Sequence, residues 1–375
     1  MICFDLSAAA HERAGLGRYA SQLAEALLAI GMPLTAFVND PRDGQLKPPL
    51  DALPRLSAHR RRKRWRLEAA LGYFGGPTLG RVFPGVTAFH ATEHLLPVIP
   101  GAKNVFTLHD AAYLRYPQYH LWQNRVYLQT MMPRFLRRAD HVICVSNFTR
   151  CDAEQFYGLP PEKMTVIHEG VEPRFQPNQD PAAHAALRAN YRLPDRFILY
   201  VGTLEPRKNL ATLVDAFRRV RVENPDVGLV IAGSKGWLYE PFLRHLVASG
   251  VAEHVTLTGY VPDADLPTLL SMAAVFAFPS VFEGFGLPVL EAMACGTPAV
   301  VADAASLPEI AGDAGLLIAP LDVGGWAQAL SRVLADPALA RDLQARGLAR
   351  ARRFTWENTA WKTADVYRNV FGVAG

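Results

Sequence analysis

Glu283 and Glu291 stand eight positions apart in Pro279-Ser280-Val281-Phe282-Glu283-Gly284-Phe285-Gly286-Leu287-Pro288-Val289-Leu290-Glu291-Ala292-Met293-Ala294-Cys295-Gly296, a run in which a turn feeds straight into a helix. Pro288 predicts a helix opening about Gly286 or Leu287, because proline is tolerated where the backbone N–H has no intrahelical acceptor. The unpaired N–H groups and positive dipole end of such a helix attract anions, and Gly284 and Gly286 let a ligand approach the backbone. A nucleoside diphosphate suits that site. Glu291 falls about four residues into the helix, roughly 6 Å along its axis at 1.5 Å per residue, so the two carboxylates flank the phosphate position. One is placed to hold a sugar, the other a ribose.

Other candidates end apolar strands. Arg207 and Lys208 follow a strand ending near Gly202 and precede a helix beginning about Asn209, a position from which they can neutralise charge building on a departing diphosphate. Two loop cations are ordinarily solvated, and helix-end carboxylates ordinarily answer the dipole. Glu291 resists that reading, because Ala292, Ala294 and Gly296 mark a packed helix in which an unpaired carboxylate is costly. His109 closes the strand Val105-Phe106-Thr107-Leu108, where open sheets present ligand-contacting residues, although a strand-end histidine is more often structural. Tyr113, Tyr116, Tyr119, His120 and Trp122 follow it and would line an acceptor site or pack as a loop. Gly15 and Gly17 precede a helix running to Ile30. They fail as a dinucleotide fingerprint, since Ala20 replaces the third glycine. Asp263-Ala264-Asp265 reads as a cap for the helix with Leu266, Leu269 and Leu270 rather than a metal-binding pair.

The elements that position these residues alternate. Strands are predicted at Ile2 to Leu6, Leu34 to Val38, Ala88 to Ala91, Val105 to His109 and Val142 to Ser146. They recur at Phe197 to Val201, Gly228 to Ala232, Val255 to Gly259, Val275 to Phe278 and Ala299 to Ala302, interleaved with helical patterns that imply parallel sheets. Three prolines between Val171 and Pro181 mark a linker, with a boundary near 176. The expected domains are 1–176 and 177–354, followed by a terminal segment, 355–375, with an amphipathic helix from about Thr355 to Phe371.

The Glu283/Glu291 segment resembles the Glu-x7-Glu signature of retaining glycosyltransferase family 4. Gly202-Thr203-Leu204-Glu205-Pro206-Arg207-Lys208-Asn209-Leu210 is similar to that family's diphosphate segment, Gly15-Leu16-Gly17-Arg18-Tyr19 to its first-domain glycine loop, and His109-Asp110 to its catalytic-site histidine. The resemblance implies the GT-B fold, an α/β architecture of two Rossmann-like domains with parallel sheets facing across a cleft, and a last helix crossing back to the first domain. It implies His109, Glu283, Arg207 and Lys208 as catalytic residues. Donor contacts would come from Gly15, Gly17, Thr203, Arg207, Lys208, Glu283, Phe285, Gly286, Leu287 and Glu291. Thr203 stands where some members carry a basic residue. A front-face reaction, with a leaving phosphate oxygen taking the acceptor proton, is also carried over. Leu108-His109-Asp110 with its Tyr-rich loop, and Gly233-Ser234-Lys235-Gly236-Trp237-Leu238-Tyr239, look similar to the mannosyltransferase branch. They suggest GDP-mannose, with UDP-sugars open, and a glycan or lipid-linked acceptor. No cofactor, metal or nucleic-acid partner is expected.

At 375 residues, half of them hydrophobic, the chain can fill two cores. Cys3, Cys144, Cys151 and Cys295 show neither metal spacing nor a disulfide framework, and no signal peptide or bilayer-spanning run is evident, so a cytoplasmic protein is expected. The net charge of +4 hides a cluster, Arg60-Arg61-Arg62-Lys63-Arg64-Trp65-Arg66; without its six cations the balance is −2. Near an anionic surface each cation contributes roughly 1 kcal/mol at most, and Trp65, with Leu67, Leu71, Tyr73 and Phe74, suits a headgroup boundary. The cluster would dock peripherally on a membrane, clamp an acceptor phosphate, or remain a solvated helix. A nicotinamide oxidoreductase is disfavoured by the failed fingerprint. A polyanion-binding module would leave Glu283, Glu291, Arg207 and Lys208 without a common purpose.

Overall fold

Short apolar strands separated by amphipathic helices pair in parallel throughout, because each strand must travel back along a helix before joining its neighbour. The computed structural model describes residues 2–12, 14–40 and 44–372. In the first sheet, β1 (Ile2–Asp5), β2 (Leu34–Asn39), β3 (Arg55–Ala58), β4 (Ala88–Ala91), β5 (Lys103–Leu108), β6 (His141–Cys144) and β7 (Met164–Val166) lie in the order β3-β2-β1-β4-β5-β6-β7. The second holds β8 (Arg196–Val201), β9 (Val227–Ala232), β10 (Val255–Gly259), β11 (Val275–Phe278), β12 (Ala299–Ala302) and β13 (Gly315–Ile318), in the order β10-β9-β8-β11-β12-β13. Each sheet therefore reverses winding once, between β1 and β4 and between β8 and β11. Loops after those strands border the crevice where doubly wound sheets take ligands.

Two units share the chain. One comprises Met1–Arg115, Trp122–Gly170 and Thr355–Gly375; the other comprises Tyr116–Leu121 and Val171–Phe354. The division falls at Gly170/Val171, six residues before the linker midpoint at 176, because the linker packs as part of the second unit. Phe175 is buried in that unit's core. The Asn178 backbone N–H donates to Ser271 Oγ at 3.0 Å and its Nδ2 to Thr268 Oγ1 at 2.8 Å.

Phe37, Phe89, Phe106, Phe135 and Tyr113 lie in the core of the first unit. Its last helix, Trp356–Phe371, starts at Thr355, whose hydroxyl accepts from the Asn358 N–H. Tyr367 is fully buried and its hydroxyl meets His90 Nδ1 at 2.5 Å, while Thr359 Oγ1 donates to the His168 carbonyl at 2.8 Å. Trp361 faces solvent, as an amphipathic helix requires.

The backbone after β7 approaches that helix so closely that a Cβ on Gly170 would fall on the backbone N of Trp356. Gly170→Ala is therefore expected to cost about 2 kcal/mol or more. Thermal unfolding should show a clear fall in Tm; an unchanged Tm would mean that the contact relaxes freely.

Candidate functional site

The winding reversal of the second sheet brings two loops together. After β8, Glu205 precedes a short 3-10 turn, Pro206–Lys208, that carries Arg207 and Lys208, and after β11 the chain runs from Pro279 to a helix at Leu287–Ala294. Arg207 links them. Its Nε and Nη2 donate to Glu205 Oε1 at 3.1 and 2.6 Å, and its Nη1 donates to Glu283 Oε2 and to the Phe282 carbonyl, both at 2.7 Å. Lys208 Nζ donates to Glu283 Oε1 at 2.6 Å and lies 5.4 Å from the Phe278 ring centroid. The Val281 N–H donates to the Arg207 carbonyl at 2.9 Å. Asn209, in the left-handed region at φ 55°, ties the turn down through Nδ2 to the carbonyls of Pro279 and Pro320.

Glu205, Lys208 and Glu283 are each more than nine-tenths buried. Burial alone would raise the Glu283 carboxyl, but the Arg207 and Lys208 charges, with hydrogen bonds from Lys208 and Ser280, outweigh it and hold it down to about 2. Burial pushes the Lys208 ammonium down and Arg207 adds to that, against the pull of Glu283 and Glu205.

The helix after this cluster begins at Leu287 with Gly286 as its N-cap, and no side chain caps it. Gly286 has φ 120°, a conformation that favours glycine, and a Cβ there would in addition displace the tip of Leu307, whose Cδ2 lies 2.8 Å away. Ser306 Oγ bonds the carbonyls of Glu283 and Phe285 at 2.9 and 2.6 Å, bracing the turn. Glu291, the fifth residue of the helix, is 2 % exposed. Thr203 sits against the next loop: a Cβ on Gly236 would fall 2.7 Å from Thr203 Cγ2. Thr203, Arg207, Lys208, Glu283, Phe285, Gly286, Leu287 and Glu291 thus belong to one unit and two neighbouring strand ends.

His109, Gly15 and Gly17 belong to the other unit. The glycines do not form a loop; they lie in the first turn of the helix Ala14–Ala29. The physical reason is packing, since a Cβ on Gly17 would meet the Ala8 carbonyl at 2.8 Å on the short helix Ser7–Ala10, whereas Gly15 faces open space. Two residues on, Tyr19 sets its ring edge-on to His109, with centroids 4.7 Å apart.

His109 Nε2 lies 3.0 Å from the Thr92 carbonyl. A carbonyl can only accept, so that nitrogen carries the proton. Nδ1 is then left facing Glu169 Oε1 at 3.8 Å. Behind it a buried chain runs from Tyr19 Oη to Thr107 Oγ1 at 2.9 Å, on to His90 Nε2 at 2.8 Å, and from His90 Nδ1 to Tyr367 Oη. Burial, and secondarily the charge of His109, pushes the His90 imidazole down to about 3, keeping it neutral.

Glu205, Glu169 and Tyr19 are the residues that sequence reasoning missed as site components. Glu205 was within reach, two positions before Arg207 in the same strand-end turn.

Two further expectations are corrected. Asp265 gives the helix Leu266–Met272 no side-chain cap and instead accepts from the Tyr191 hydroxyl at 3.1 Å. Trp65 is no headgroup anchor: it is buried against Phe37 and Phe83, with ring centroids 5.5 and 6.4 Å away. Three neighbours are engaged, Arg60 and Arg64 with Glu68 and Arg66 with Asn124, while Arg61, Arg62, Lys63 and Arg64 are exposed. Among the described residues no helix is long and apolar enough to cross a membrane.

Comparison with known proteins agrees with this geometry. Residues 13–175 match the family described as Glycosyltransferase Family 4 and residues 186–350 that described as Glycosyl transferases group 1. The O-antigen chain mannosyltransferase B of Escherichia coli is 35% identical over 269 residues, covering 71% of this chain and 70% of its own. A GDP-mannose-dependent alpha-(1-6)-phosphatidylinositol monomannoside mannosyltransferase of Mycolicibacterium smegmatis is 35% identical over 64% of each chain. Among solved structures, sucrose-phosphate synthase from Thermosynechococcus elongatus superposes with a TM-score of 0.78 over the full length of both chains at 24% identity, a likeness of fold.

Because the Glu283 carboxyl is held below its unfolded value near 4.5, its contribution to stability is complete above that pH and is lost as pH falls toward 2. Glu283→Gln, which strands the buried Lys208 ammonium and leaves Arg207 only Glu205 as a counter-charge, is expected to cost about 3 kcal/mol at pH 7. Denaturant titrations should show the gap between wild type and variant shrinking by pH 3. A gap independent of pH would mean that the ion pair does not govern this site.

Proposed function

This chain belongs to glycosyltransferase family 4, and we propose that it transfers mannose from GDP-mannose to a glycan or lipid-linked acceptor with retention of anomeric configuration. The reading is carried by one observation: Arg207, Lys208 and Glu283 converge beside an uncapped helix N-terminus at a winding reversal. In this reading Arg207, Lys208 and that N-terminus offset the charge that grows on the diphosphate as the sugar C1–O bond breaks. Phe285, Gly286 and Leu287 offer backbone N–H groups, Glu291 accepts the ribose hydroxyls, and Glu283 accepts a hydroxyl of the sugar. His109 acts at the transferred sugar and Gly15, beside which there is open space, is a donor contact, whereas Gly17 is taken up by packing on Ala8. The acceptor oxygen bonds to C1 on the face the diphosphate leaves, and its proton passes to the leaving phosphate oxygen. Positive charge is supplied by the protein, so the reading calls for no divalent cation. The mannosyl and guanosine assignments draw support from the relatives' named activities. A UDP-sugar-dependent enzyme of the same fold is the alternative.

Calorimetry tests the donor assignment. GDP-mannose should bind the wild-type protein better than UDP-glucose does, and Lys208→Ala and Glu291→Ala should each weaken it by about tenfold or more while remaining folded. Wild-type affinity in both variants would sink the site. NMR of the product should show the donor's anomeric configuration preserved, and an inverted product would remove the retaining mechanism.

We also propose that the basic helix docks on an anionic membrane face, on the cytoplasmic side. Arg62, Lys63 and Arg64 occupy the first turn of the helix Arg62–Leu71, where cations oppose the dipole, and all three are exposed. Leu67, Leu71 and Phe74 are exposed close by in sequence. The variant with Arg61, Arg62 and Lys63 replaced by Ser should lose sedimentation with phosphatidylglycerol vesicles, and the wild-type protein should not sediment with phosphatidylcholine vesicles. Equal binding to both lipids would leave the cluster to a soluble acceptor phosphate.

A further inference from the structure

We propose that Trp237, held by the Tyr119 carbonyl and flanked by the His120 ring at 6.2 Å, forms an aromatic shelf that holds a pyranose ring of the acceptor glycan, beside the sugar to be extended. Tyr116–Leu121 belongs to the second unit although its sequence neighbours on both sides belong to the first. This strap is fastened at both edges of the Arg207 cluster. Tyr116 sets its ring 5.8 Å from that of Phe282, the residue before Glu283, and its hydroxyl donates to the Val281 carbonyl at 3.4 Å. Tyr119 stacks on Tyr116 with rings 7° from parallel, and its carbonyl accepts from Trp237 Nε1 at 2.6 Å.

The loop carrying Trp237 is itself knitted to the other strand end. The Leu204 N–H donates to the Ser234 carbonyl at 2.9 Å and the Gly236 N–H to the Leu204 carbonyl at 3.0 Å, one residue before Glu205. Leu238 is forced to φ 55°, a region that leucine rarely adopts, immediately after the tryptophan. Strain of this kind persists where the surrounding structure over-determines it.

The chemistry of the exposed face names the ligand. The single polar atom of the indole is already satisfied by the Tyr119 carbonyl, so what Trp237 presents to solvent, at 36 % exposure, is a fixed apolar plane. Ser234, Lys235 and Gln118 are exposed around it. A rigid aromatic plane rimmed by hydroxyl, ammonium and amide groups matches a pyranose, which has an apolar C–H face and a polar hydroxyl edge. The plane lies at loops continuous with Glu205 and Glu283, so a sugar there belongs to the acceptor rather than to the nucleotide. This inference rests on the donor-site reading above.

Tryptophan emission and calorimetry with an α-mannotriose as probe test it, with GDP-mannose as the second arm. Wild-type protein should give a saturable change in emission with mannotriose. Trp237→Ala should lose that change and bind mannotriose about tenfold more weakly, while GDP-mannose affinity stays within about twofold of wild type. Trp237→Phe, which keeps a ring but lacks the N–H to Tyr119, should fall between them and guards against a folding defect in the alanine variant. Mannotriose affinity equal in wild type and Trp237→Ala, or no mannotriose binding by either, overturns the shelf. So does a variant that weakens GDP-mannose and leaves mannotriose unchanged, since the ring would then serve the donor sugar. If neither protein binds GDP-mannose but mannotriose binding still depends on Trp237, the donor reading fails and the shelf stands.

Discussion

Glu283 is buried between a guanidinium and an ammonium, and the second unit is arranged so that those three charges need never face an apolar neighbour alone. A buried carboxylate survives because Arg207, itself steadied by Glu205, and Lys208 both reach it. Removing any partner leaves a charge where water cannot solvate it, so the two loops are tied to one geometry. The four charges sum to zero. Such a cluster exerts little pull on a distant anion; attraction arises at short range, when a phosphate oxygen competes with Glu283 for its cations. In the proposed reaction, a diphosphate that wins this competition frees the carboxylate to accept from a sugar hydroxyl.

Much of this was legible locally. The β4, β10, β11 and β12 boundaries are those predicted, because β11 and β12 are apolar runs, β10 alternates Val, Thr, Leu and Thr, β4 interrupts its apolar residues only at His90, and each is ended by Gly, Pro, Thr or a polar turn. The three unpredicted strands, β3, β7 and β13, are the edge strands other than β10, and each is only partly buried. Without covering on both sides, Arg55–Ala58 and Met164–Val166 have no reason to be uniformly apolar. Local periodicity cannot see them; a neighbouring strand's backbone defines them.

The misreadings share a cause. Gly17 was read as a loop glycine, but its missing side chain admits a second helix, and only the position of Ala8 reveals this. Trp65, set among six cations, was read as facing outward, yet the helix turns it inward to Phe37 and Phe83 while its charged neighbours remain outside. The Glu169 approach to His109 joins the segment after β7 to the end of β5, sixty residues apart in sequence. Residue type and short spacing identify what a side chain can do. Which side chains meet is decided by chain reversals that leave no local trace.

The first unit is discontinuous: its buried polar chain ends at Tyr367, on the helix Trp356–Phe371 that follows the whole of the second unit in sequence. During synthesis the ribosome delivers β1 to β7 long before the partner for His90 exists, and almost all of the second unit emerges in the interval. Vectorial synthesis therefore lets the segment Val171–Phe354 emerge in full before the helix Trp356–Phe371 is available to the earlier unit. A truncation before Thr355 would leave Val171–Phe354 structurally entire and strip the other unit of its last helix. Arrival of that helix thus acts as a check on the half made first.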